Sequence, residues 1–108
     1  MREQLASMLG EKLVVTATFK RFGWKVFRGQ YEAKTLLLVD VRDESGKVMT
    51  DHTWFKCGKG FDRLHLKQGD EVQFHARVGT YTKGGSYDFH LEYPEHLVKV
   101  DQGQGRLG

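Results

Sequence analysis

Between residues 71 and 81 the chain alternates. Val72, Phe74, Ala76 and Val78 are apolar, while Gln73, His75 and Arg77 between them are polar. A period of two sends the first set to one face of a strand and the second to the other, so Glu71–Tyr81 reads as a half-buried strand. Four more segments carry strand signals. Lys12–Phe27 opens on LVVTATF, rich in β-branched residues. Gly23, inside it, predicts a bulge or sharp bend. Thr35–Val41 (TLLLVDV) is the most apolar stretch. Val48–Lys56 ends close to the adjacent aromatics Trp54 and Phe55. Phe89–Tyr93 begins a fifth strand that Leu97–Val100 resumes after an interruption at Pro94.

The connectors follow from turn chemistry. Asp43-Glu44-Ser45-Gly46 reads as a hairpin turn joining the second and third strands. Phe61, Leu64 and Leu66 predict a short helix or helical turn, and Gly69-Asp70 punctuates the chain before the fourth strand. Phe27–Lys34 and Thr82–Asp88 read as loops. Near the start, Leu5, Met8 and Leu9 stand at helical spacing before Gly10, which suggests a short N-terminal helix. Residues 1–100 form one expected domain, and residues 101–108 (DQGQGRLG) have little to bury and are expected to be disordered. Phe19, Leu37, Val39, Val72, Phe74 and Val78 are the expected core.

Three strands, a short helix and two strands is the order of an all-β, five-stranded OB-fold, a partly open Greek-key barrel. An SH3-like barrel is the competitor, but it has shorter strands and usually lacks a connector between its third and fourth strands.

Composition adds limits. At 108 residues with 39% hydrophobic content the chain can bury a core without staples. It has no apolar run of bilayer length and no signal-peptide apolar region, so no membrane partner is expected. Cys57 is the single cysteine, which excludes an intrachain disulfide and favours a reducing, cytoplasmic setting. The net charge of +3 is modest. Its distribution says more: Lys20, Arg21, Lys25, Arg28 and Lys34 face only Glu32 within that run, and Phe22, Trp24, Phe27 and Tyr31 are interleaved with them. Cations that follow phosphates and aromatics that stack on bases, at about 1–3 kcal/mol per base, are the needs of a single-stranded nucleic-acid site.

The middle third of the chain resembles single-stranded-DNA-binding OB-fold proteins, of the bacterial replication type and of small phage- or plasmid-encoded kinds. The resemblance rests on Asp51–Phe55 (DHTWF), on Lys59-Gly60-Phe61, on Lys67–Val72 (KQGDEV) and on Lys83-Gly84-Gly85. It implies that Trp54 stacks on a base. Two departures stand out. There is no long acidic-tipped tail, and the connecting helix is short, so neither tail-mediated recruitment nor the usual tetramer is implied.

The candidate site follows. If Thr53 and Phe55 face inward, Trp54 shares the outer face with His52 and Lys56. Phe22, Trp24, Phe27, Tyr31, Tyr81 and Tyr87 are further stacking candidates, with one of Phe22 and Phe27 expected in the core. Lys20, Arg21, Lys25, Arg28, Lys56, Lys59, Arg63, Arg77 and Lys83 are candidate phosphate contacts. The histidines His52, His65, His75, His90 and His96 and the thiol of Cys57 lack metal-ligand spacing, so no metal is expected. No phosphate-cradling glycine loop or nucleophile signature is present, and Asp40, Asp51 and Asp70 would form a nuclease cluster only if the fold gathered them. No enzyme activity and no cofactor are expected. The expected function is binding of single-stranded nucleic acid, DNA favoured over RNA, with little sequence preference and a place in DNA replication. Self-association and replication or recombination proteins are the expected partners besides the strand itself. The alternative is the same fold used as a protein-interaction subunit.

Overall fold

A computed structural model of the chain describes residues 9–27, 29, 31–83 and 86–100. Of these, the side chains of Phe27, Tyr31, 81–83 and 86–89 are not described. The expected N-terminal helix, the tail and Arg28 lie outside the described residues. Among the described residues five strands form: β1 (Lys12–Phe27), β2 (Tyr31–Arg42), β3 (Val48–Lys56), β4 (Glu71–Lys83) and β5 (Ser86–Val100). A short helix, α1 (Lys59–Asp62), stands between β3 and β4, slightly ahead of the expected 61–66. All pairings are antiparallel, in the order β3-β2-β1-β4-β5. The sheet curls so that its two outer strands, β3 and β5, approach each other with α1 against β5, but they do not pair. The chain is therefore an all-β, barrel-like sheet left open along one seam. Among the described residues no helix is long and apolar enough to cross a membrane.

One face of the sheet holds the core. β4 supplies Val72, Phe74, Ala76 and Val78, all 0–1% exposed, as its alternation predicts. Phe74 sits at the centre, edge-on to Phe55 at 5.6 Å and to Phe61 at 6.4 Å. β1 adds Val15, Ala17 and Phe19. From β2, however, the core takes Leu36, Leu38 and Val41, not the expected Leu37 and Val39. Leu37 is buried on the opposite face, and Val39 is half-buried. A run of four apolar residues carries no period, so only its neighbours decide which face is which.

Irregularities in pairing set those faces. The register shifts lie between Thr16 and Thr18 and between Phe19 and Arg21, so Gly23 is not the bulge expected of it. Phe19 pairs with Leu38 and Arg21 with Leu37, which leaves Lys20 as the extra residue. Unbroken alternation would put Phe19 and Arg21 on one side. The inserted residue reverses the alternation: Phe19 and Phe22 both turn to the core and Arg21 turns out. On β2, Asp40 takes a φ of +52°, and the inward positions step from Leu38 to Val41 around it.

The turns are as expected in place but tighter in extent. Asp43 Oδ1 accepts from the backbone N–H of Ser45 (2.9 Å), the Ser45 hydroxyl (2.7 Å) and the backbone N–H of Lys47 (3.0 Å). Those bonds, the hydroxyl's first, hold the Asp43 carboxyl below its ordinary range. Gly46 closes the turn at φ +87°, a conformation other residues resist. The regions expected as loops at 27–34 and 82–88 are instead mostly strand: Phe27 pairs with Tyr31, and Lys83 with Ser86. Both hairpins are therefore extended ribbons. β5 runs through Pro94, absorbing it with register shifts and with positive φ at Tyr93 (+56°) and His96 (+55°).

Candidate nucleic-acid interface

β3 alternates as its sequence says. Thr53 and Phe55 are 9% and 7% exposed and face in, while His52, Trp54 and Lys56 are exposed on the other side. Register then sets their neighbours. Arg21, Leu37 and Trp54 form one cross-strand row over β1, β2 and β3, and Gly23, Thr35 and Lys56 form the next. The Arg21 guanidinium lies 5.0 Å from the centre of the Trp54 ring system, a cation–π contact.

Gly23 is what allows the indole to lie down on the sheet. A Cβ at this position would stand 3.1 Å from Thr35 Oγ1 and 3.2 Å from the Trp54 ring. The bare backbone of β1 thus forms part of the ring's seat, as when an aromatic covers a glycine on a neighbouring strand. The result is a groove of about 450 Å³ lined by Arg21, Gly23, Trp24, Lys25, Thr35 and Trp54. Trp54 keeps 43% of its surface exposed. Such a ring, seated on one side and flanked by cations, offers a π surface to a flat base and positive charge to its phosphates. Gly23→Ala is expected to leave the melting temperature unchanged or slightly raised, since glycine weakens a strand. It should displace the indole by a few tenths of an ångström and weaken oligonucleotide binding severalfold. Thermal melts and titrations on the same variant check both halves.

Of the residues read from the sequence as a site, Arg21, Trp24, Lys25 and Trp54 line this groove, and His52 and Lys56 share the outer face of β3 with Trp54. Lys20 is exposed at the bulge beside Arg21. Trp24, 69% exposed, forms the rim and makes no ring or cation contact among the described residues. Phe22 is corrected to the core edge: it packs 4.7 Å from Phe19, under Lys34 Nζ at 4.1 Å. Arg77 is also elsewhere. It pairs opposite Lys12, nine residues or about 30 Å of strand from Arg21, and its guanidinium donates to the Gly10 carbonyl. Lys59 lies on α1, in a depression shared with Asp62, Arg63 and His65. Phe27, Arg28, Tyr31, Tyr81, Lys83 and Tyr87 have side chains outside the description, although Phe27, Tyr31, Lys83 and Tyr87 stand at or beside the hairpin ends. The sequence reading missed Thr35 in the groove lining, and it assigned Gly23 to a bulge or sharp bend.

The carboxylates and the thiol weighed from the sequence each have local partners. Among the described residues no group of three or more His, Cys, Asp or Glu could hold a metal ion. Asp40 is engaged by Arg42, Asp51 by His52, and Asp70 by the Lys67 amide, so each has a local structural partner. Burial, and then Asp62, push the Cys57 thiol up, away from the thiolate a nucleophile requires.

No known family model matches the chain. Neither a curated protein nor a solved structure matches it. The groove itself therefore carries the functional argument.

Proposed function

We propose that this chain is an OB-fold module that binds single-stranded nucleic acid, DNA in preference to RNA, by base stacking and phosphate contacts with little sequence preference. A strand order with β1 shared between β2 and β4, and a helix between β3 and β4, supports this reading, since it is compatible with an OB barrel opened at the β3–β5 seam. The observation that carries the reading is Trp54. It lies on the third strand, seated over Gly23 and Thr35 and clamped by Arg21, with 43% of its surface open. Every base has a π face, so a site built on stacking accepts many sequences.

Titration with a single-stranded oligothymidylate, followed by tryptophan fluorescence in a Trp24→Phe background, tests this directly. Quenching of Trp54 is expected. Affinity should fall as salt rises, with a log–log slope of about −0.7 per phosphate neutralised and roughly two to four phosphates in contact. A blunt duplex of equal length should bind more weakly, because it hides its base faces. Equal affinity for duplex and single strand, or an unquenched Trp54 at saturation, would overturn the reading.

A further inference from the structure

Beyond the end of β3 the surface opens a second time. A slot of about 480 Å³ lies at the unpaired seam, between α1 and β5. Its floor is apolar, from Phe61, Leu64, Pro94 and Leu97, and Lys56 and Arg63 stand on its rim. Gly60 lies against one wall of the slot: a Cβ there would stand 2.7 Å from Leu97 Cδ1. Without a side chain, α1 can approach β5 this closely.

The slot abuts the groove. Thr35, in the groove floor, is the cross-strand partner of Lys56, on the slot rim. Lys56 follows Trp54 by two residues on the same face of β3, a step of about 7 Å. Charge favours the same visitor at both places. Glu95, which also lines the slot, is ion-paired with Lys12, and neighbouring Asp62 with Lys34 at 3.3 Å. Both cations come from outside the slot. Arg63 is exposed and has no ion-pair partner among the described residues. His96 lies nearby in the lining. An apolar floor beside the exposed guanidinium of Arg63 suits a base and its phosphate.

We propose that a single strand seated on Trp54 continues over Lys56 into this slot, where Arg63 contacts a phosphate and the Pro94–Leu97 floor receives a base. The proposal rests on the reading of the Trp54 groove and extends it from a local stacking site to a track with a defined exit. An acidic peptide is the competing occupant, and the test separates the two.

Binding is measured on the whole chain with oligothymidylates of about four and about twelve nucleotides, one at the short end of OB-fold site sizes and one well inside their range. The parent should bind the longer oligonucleotide more tightly and with a steeper salt slope. Arg63→Gln should lower affinity for the longer one about tenfold, reduce its salt slope by about 0.7, and leave the shorter one unchanged. Arg63→Lys should restore most of the loss, and melting temperatures should stay at the parent value because the side chain is exposed. Trp54→Ala should weaken both lengths. If Trp54→Ala weakens binding while Arg63→Gln affects neither length, or both equally, the slot is not on the track and the groove reading survives. Capture of an oligoglutamate peptide that depends on Arg63, with the longer oligonucleotide bound normally by Arg63→Gln, would assign the slot to a protein partner and overturn the proposal. Failure of the parent to bind either oligonucleotide removes both readings together.

Discussion

Trp54→Ala is expected to weaken binding of single-stranded DNA by about 1–3 kcal/mol, roughly 5- to 150-fold, while the protein melts close to the parent temperature. The two halves of that result have separate causes. The indole lies outside the core, on the face opposite Phe55, and 43% of it meets solvent. Its removal uncovers Leu37 and the Gly23 backbone but opens no cavity inside the sheet. A truncated core aromatic would instead cost the fold about 3–5 kcal/mol. What the variant does lose is the flat surface on which a base stacks, and the seat that holds the Arg21 guanidinium 5.0 Å from the ring centre. Denaturant melts and oligonucleotide titrations on one preparation decide the matter. A protein that binds as tightly as the parent, or that melts many degrees lower, would mean that the ring is not a stacking platform.

Phe74→Ala is expected to do the reverse. Phe74 is fully buried and touches the rings of both Phe55 and Phe61, so it ties β4 to β3 and to α1 across the interior. Its truncation should cost about 3–5 kcal/mol. That is a large part of the roughly 5–15 kcal/mol that holds a domain of this kind together. Urea unfolding of parent and variant measures the difference directly. Phe74→Leu, which keeps most of the volume, should lose clearly less. Binding measured where the variant is still folded should be near the parent value, because Phe74 lies behind the sheet from Trp54. A loss below about 1 kcal/mol would show that the curled sheet does not close around this ring.

The contrast between these residues shows why part of the site was legible in the sequence. Phe55 and Trp54 are adjacent aromatics, and composition cannot tell them apart. Alternation can: with Thr53 and Phe55 inward, Trp54 has to leave the sheet on the other side, beside His52 and Lys56. β4 is as clear, since every second residue from Val72 to Val78 is apolar and the rest are not. The turn at Asp43–Gly46 was legible for a similar reason. A short acceptor side chain and a glycine at fixed offsets satisfy a turn locally, with no help from the rest of the chain.

Other parts needed partners distant in sequence. TLLLVDV is apolar on both faces, so it was the pairing with β1 and β3 that turned Leu36 and Leu38 in and left Leu37 beneath Trp54 and Arg21. In the basic run, one extra residue at Lys20 reversed the alternation, which sent Phe22 to the core edge and Arg21 to the groove. Gly23 was conspicuous by itself, but its role lies with a tryptophan 31 positions later in the chain and two strands away. Arg77 and Lys59 carry the same charge as Lys25 and Lys56, yet strand order and the place of α1 carry them to other parts of the surface.

By itself, then, the sequence determined the five strand segments, the Asp43–Gly46 turn and the outward side of β3, because strand periodicity and turn chemistry act between residues a few positions apart. The tertiary structure decided which cations and which backbone surround Trp54. Those neighbours depend on register and bulges between strands, and register is a property of pairs of segments that no single segment contains.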